Sequence, residues 1–200
     1  MKKIWLLLAL LLVSPALAQA PQQSNLGFCN IGSVASAVKI TTSNCIFASF
    51  TGVIANNQLT TSVVTGNVLP GQPLTGAGIP SGAYVVTGLV SGGGNNTAGV
   101  YSIYCGGPCA AVSSESMTTA GVPPFAKYAL ISVQTQAVNW RADGGTPTSS
   151  VGGGNPIPAG NAIGFNATTG AGTTLPGGDL SQLQFIQQAA TAVVTVDFYQ

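Results

Sequence analysis

The chain has 200 residues, 46% hydrophobic and only 4% charged, with 27 glycines, 12 prolines, four cysteines and no histidine. So few cations cannot neutralise a row of phosphates, which excludes a nucleic-acid interface, and the apolar content is too high for a disordered chain. Without histidine no Ser-His-Asp or Cys-His constellation can be built and the commonest transition-metal ligand is missing, so neither a metal nor a cofactor is expected.

The first 18 residues combine Lys2 and Lys3, an apolar run from Ile4 to Val13 and an Ala16-Leu17-Ala18 site. That pattern reads as a secretory signal peptide cleaved after Ala18, its apolar run being too short to span a membrane comfortably. The mature chain is then expected to be secreted, periplasmic or extracellular, with no membrane association. Lys39, Lys127 and Arg141 remain against Glu115, Asp143, Asp179 and Asp197.

Residues 19–45 form an amino-terminal arm carrying Cys29 and Cys45. Four cysteines in an exported chain read as a disulfide framework. Of the three connectivities, Cys29 with Cys45 and Cys105 with Cys109 are favoured because each pair is local. The C-G-G-P-C spacing departs from the C-x-x-C of a redox pair, so the second bridge reads as a loop clasp.

Residues 46–120 read as a Gly-rich β module. FTGVIA and QLTTSVVT are joined by Asn56-Asn57, residues that tolerate positive φ, so a tight hairpin is expected. AYVVTGLV and VYSIYC follow as further strands. The glycine runs GAGIPSG and SGGGNN lack the Gly-Lys-Ser/Thr ending of a phosphate loop and read as turns. Gly121-Val122-Pro123-Pro124 marks the next boundary, since consecutive prolines interrupt strand pairing.

Residues 121–200 read as a β-sandwich with strands at YALISV and VNWR and a closing strand whose Ala192, Val194, Val196 and Phe198 alternate with Thr191, Val193, Thr195 and Asp197. In GGDLSQLQFIQQAA, Asp179 or Ser181 can cap a short helix with Leu183, Ile186 and Leu180 on its inner face at three-residue spacing. Short strands separated by turn signals define an all-β chain.

The stretch NWRADGG holds the chain's single arginine. Arg141 and Asp143, two residues apart on a strand, share a face and can pair, whereas Trp140 points to the core. The pair serves either to pin the strand end before a Pro-Gly loop or as a ligand-contact patch in which Arg141 reads a sugar or carboxylate; the pinning role is the commoner use of such a pair. Glu115 and Asp143 could act as a glycosidase pair only if they face each other, and aromatic and polar clusters of the kind that line substrate clefts are thin, so the chain reads as a non-enzyme.

The stretch LISVQTQAVNWRADGGTPTSSVGGGNPIPAGNAIGF, with DLSQLQFIQQAATAVVTVDFY, resembles small β-sandwich proteins encoded among the virion genes of tailed phages and prophages. Upstream, FTGVIANNQLTTSVVTGNVLPGQPLTGAGIPSGAYVVTGL is similar to a Gly-rich β module of phage tail fibres and bacterial surface proteins. The resemblance implies a non-enzymatic structural or receptor-facing component of a phage-like particle, of tail-fibre or decoration type. Its implied partners are further copies of itself in a homo-oligomer, other virion or surface proteins, or a cell-surface glycan. The CGGPC clasp and the AVSSES stretch interrupt the Gly-rich pattern, and a signal peptide is unusual in a particle assembled in the cytoplasm. Two alternatives stand beside it. An exported fimbrial subunit would share the signal peptide, the early cysteine pair and the closing strand with Tyr199, although the Cys29–Cys45 interval is short for one. A secreted carbohydrate-binding module would use Trp140, Tyr101 or Tyr104 as stacking platforms, although large rings more often fill cores.

Overall fold

The computed structural model describes residues 24–32, 34–94, 96–166 and 179–200; the expected signal peptide lies outside them. Strands β1 (Asn25–Ile31) and β2 (Val38–Lys39) come first, followed by β3 (Ile46–Ala55), β4 (Gln58–Gly66), β5 (Leu74–Gly76), β6 (Tyr84–Gly94), β7 (Thr97–Tyr104) and β8 (Val112–Ala120). After the Pro123-Pro124 linker come β9 (Tyr128–Gln134), β10 (Val138–Arg141), β11 (Asn155–Ile157), β12 (Ala162–Asn166), β13 (Gln184–Gln187) and β14 (Val193–Tyr199). The fold is all-β, as the period-two patterning indicates.

Residues 46–120 form one six-stranded antiparallel sheet in the order β5-β8-β3-β4-β7-β6. The β3–β4 hairpin turns on Asn56 and Asn57 with φ of 52° and 59°, the positive pair that a type I′ turn demands. The sheet curls until its ends meet. Pro73 bridges Tyr84, Leu74 N–H donates to Ala83 O at 2.8 Å, and Val85 N–H donates to Gln72 O at 3.0 Å. This nearly closed barrel leaves little open edge, and its interior is filled by Phe50, Ile54, Leu59, Val85, Tyr101 and Met117. Space is tight enough that a Cβ on Gly52 would lie 2.6 Å from Met117 Sδ and 2.9 Å from Leu59.

The remaining strands make two four-stranded sheets, β1-β14-β9-β12 and β11-β10-β13-β2. Their inner faces share one core, to which Ile131, Val194 and Phe198 contribute from the first sheet and Val138, Ile157 and Phe185 from the second. Ala192, Val194, Val196 and Phe198 are all fully buried, so the alternation of the closing strand holds. The arm of residues 19–45 supplies β1, which pairs with β14, and β2, which pairs with β13. The barrel is therefore an insertion between β2 and β9 of the sandwich. Its entry and exit are tied together, Gly121 N–H donating to Cys45 O at 2.8 Å.

The helix expected in GGDLSQLQFIQQAA shrinks to one 3-10 turn, Leu180–Gln182. Asp179 does cap it, its carboxylate accepting from Ser181 N–H at 2.8 Å. Beyond Leu183 the chain becomes β13 because ladders to β10 and β2 on either side claim its backbone. Phe185, rather than Ile186, reaches the core.

Both local disulfides are formed, Cys29–Cys45 from β1 to the neck of the insertion and Cys105–Cys109 across the loop after β7. Two such bridges belong to a non-reducing, exported environment. The clasped loop is held against the β3–β4 turn, where Cys109 N–H donates to Asn57 Oδ1 at 2.7 Å. On the outward face of the first sheet, Asp197 sits in register between Phe28 and Leu130, and burial raises its carboxyl from its ordinary value.

The loop-closure estimate makes Cys29–Cys45 the stronger staple, so replacing both partners by serine lowers unfolding free energy by about 3 kcal/mol, against about 2 kcal/mol for the shorter clasp. Urea melts of the two double variants check the ranking, and thiol titration of the denatured, unreduced wild type should find no thiol. A raised carboxyl favours the neutral folded form, a contribution fully present below the unfolded value and lost as pH rises through the folded one. Asp197→Asn therefore raises the urea midpoint relative to wild type at pH 7, with the gain vanishing below about pH 4; a gain of equal size at both pH values contradicts this.

Candidate functional site

The site begins with β10. Val138 and Trp140 turn into the sandwich core, and Trp140 meets Phe165 edge-to-face at 5.6 Å. Asn139 faces the other way, yet is just as buried because the loop 142–154 folds back over it. Its amide donates to Thr148 O at 2.7 Å and Ser150 O at 2.9 Å, and its Oδ1 accepts from Gln188 Nε2 at 2.7 Å. Within the loop, Thr148 N–H donates to Gly153 O and Gly153 N–H to Ser150 O. Gly154 passes so close to β10 that a Cβ would lie 2.9 Å from Trp140 O.

Arg141 ends β10, and Asp143 lies past the strand at a bend rather than on the same strand face. The pair forms nonetheless, bidentate, with Nε to Oδ1 at 2.9 Å and a terminal nitrogen to Oδ2 at 2.5 Å. Gly145 N–H adds a third donor to Oδ1 at 3.1 Å. These bonds, the Arg141 guanidinium first, hold the Asp143 carboxyl well below the usual carboxylate range and raise Arg141. The guanidinium lies over Gly145, where a Cβ would come within 2.6 Å of it.

Beside the pair opens a cleft of about 580 Å³ walled by Trp140, Arg141, Asp143, Gly152, Asn155 and Phe165. The structure thus brings Trp140, Arg141 and Asp143 together. Chemically the cleft offers less than its residues suggest: Trp140 is only 6% exposed, and the guanidinium charge is already matched by Asp143. The exposed ion pair, with the Gly145 N–H, closes a short turn at the start of the loop, while the buried Asn139 amide holds the loop down.

Glu115 and Asp143 are not paired in this way. Glu115 is exposed on barrel strand β8 opposite Gly52, whereas Asp143 belongs to the sandwich loop with both oxygens engaged. Of the three proposed stacking aromatics, Tyr101 is buried in the barrel and Trp140 in the sandwich, but Tyr104 is 46% exposed. Tyr104 lies directly across the ladder from Tyr84, ring centroids 5.2 Å apart, and Phe125 meets Tyr84 edge-on at 4.9 Å. Tyr199 lies 5.9 Å from Tyr128 on the outward face of the sandwich.

Sequence reasoning missed Asn139, Tyr84 and Phe125. A polar residue amid the apolar run VNW was the available signal for Asn139. No family model, no curated protein and no solved structure matches the chain.

Truncating Asn139 leaves the Thr148 and Ser150 carbonyls and the Gln188 amide without their partner, so Asn139→Ala costs about 2 kcal/mol in a urea melt. Arg141→Ala, removing an exposed pair, leaves the midpoint unchanged within error. A reversed ranking would mean that the ion pair, not the amide, anchors the loop.

Proposed function

We propose that the protein is an exported, non-catalytic structural or receptor-facing component of a phage-like particle, acting through surface contacts between rigid β units. The observation that carries this reading is the contrast between its edges. The barrel joins β5 to β6, whereas β1, β12, β11 and β2 each have a strand partner on one side only among the described residues. Such edges supply a route to assembly by strand addition. Low charge and close Gly-rich turns favour tight packing between copies, and the sequence likeness to virion β-sandwich proteins points to the same setting. A fimbrial subunit is less favoured, because β14 already pairs on both sides with strands of its own chain.

The expected outcome is a symmetric homo-oligomer of the mature chain that is retained on phage-sized particles after a lysogen is induced. Density-gradient fractions probed with an antibody to the sandwich, together with light scattering of the purified protein, check both points. A protein found wholly monomeric and absent from particle fractions overturns the reading.

A further inference from the structure

The barrel's outer wall carries an aromatic cluster that the core does not require. Val85 and Ile103 turn inward, so the flanking Tyr84, Val86 and Tyr104 turn outward. Tyr104, Val86 and Phe125 are 46%, 43% and 41% exposed. Surface apolar clusters of this kind mark binding sites. Tyr84 packs against both of its aromatic neighbours, Tyr104 directly across the β6–β7 ladder with centroids 5.2 Å apart and Phe125 edge-on at 4.9 Å. Rings held in place before binding lose little entropy when a ligand arrives.

Beside Tyr84 and Phe125 a cleft of about 420 Å³ runs across the seam to the sandwich, reaching Asn25 and Gln200. Its volume falls in the range of small-ligand sites, about 300–1,000 Å³. Among the described residues, no Asp, Glu, Lys or Arg side chain lines it. Asn25 is fixed by accepting from Gly27 N–H through Oδ1 at 2.6 Å, which keeps its –NH2 as a donor. Aromatic faces beside an amide-bearing cleft that lacks charged side chains among the described residues suit a ligand with an apolar C–H face and a rim of neutral hydroxyls.

We propose that the cleft bounded by Tyr84 and Phe125, with Tyr104 extending its aromatic wall, binds a neutral saccharide. A sugar ring stacks its C–H face on the tyrosine and phenylalanine rings, and its hydroxyls bond to the Asn25 amide and the backbone of the seam. Anionic sugars are disfavoured, since the described lining holds no Lys or Arg side chain to meet them. This site is separate from the Arg141 cleft and stands whether or not the protein rides on particles.

The test uses the mature, disulfide-intact protein on an array of neutral hexose and N-acetylhexosamine oligosaccharides, with sialylated ones as charged counterparts. Hits are then titrated in solution by tyrosine fluorescence or calorimetry. Neutral glycans are expected to bind, Tyr104→Ala and Phe125→Ala each to weaken binding about tenfold, and Tyr104→Phe to retain it. Both alanine sites are exposed, and an unchanged urea midpoint separates lost contact from lost fold. The proposal is overturned if no neutral glycan binds, if sialylated glycans bind better, or if both alanine variants bind as wild type. It is also overturned if those variants lose only self-association, which would make the patch a protein interface.

Discussion

The tie between Cys45 and Gly121 is the constraint on which the rest of the molecule depends. The sandwich is built from strands that precede and follow the barrel, so β1 and β2 must find β14 and β13 across most of the chain. Closing a loop of that length costs entropy before any core contact offsets it. With Gly121 N–H bonded to Cys45 O, the whole barrel becomes a side excursion from one point. The Cys29–Cys45 bridge then fastens β1 to that same point. The barrel contains two local hairpins, β3–β4 and β6–β7, but its β4–β7, β3–β8 and β5–β8 ladders join strands far apart in the chain, and the neck converts their closure into alignment of the sandwich.

Local features of this architecture were legible in the sequence and distant ones were not. The Asn56-Asn57 turn, the closing strand and both disulfides depend on residues close together in the chain, where residue type and spacing decide the outcome. The pairing of the amino-terminal arm with β13 and β14 depends on which edges remain available after everything else has folded, which no local pattern encodes. The segment from Leu180 to Gln187 shows the same limit: its three-residue apolar spacing suits a helix, but the open ladders of β10 and β2 offer its backbone more. Register was hidden too. Gly94 faces Thr97 at the hairpin end, and bulges between Thr87 and Ser91 and beside Val85 then slip the strands until Tyr84 meets Tyr104. Counting from the turn alone would place the two rings apart.

The candidate site divides along similar lines. An arginine and an aspartate two positions apart announce an ion pair, and the pair is present. What it does was less visible, because its position past the strand end, its bond to Gly145 and the buried amide beneath it are properties of the loop as a whole. Asn139 is the stronger organiser for a physical reason. An exposed ion pair exchanges one set of solvated contacts for another, whereas a buried amide must have every partner supplied by the protein, and it therefore selects one loop conformation.

Gln72 extends that logic to the seam between barrel and sandwich. Fully buried, it accepts from Leu69 N–H at 3.1 Å through Oε1, donates from Nε2 to Leu26 O at 3.1 Å, and accepts from Val85 N–H through its backbone carbonyl. One residue thus holds β1 and β6 together. Leu26 adjoins Asn25 and Val85 adjoins Tyr84, so the two walls of the aromatic cleft hang from one residue, the first by its side-chain amide and the second by its backbone carbonyl. In a chain so poor in charge, a buried glutamine bonded through both its side chain and its backbone fixes two surfaces relative to each other without placing an ion between them.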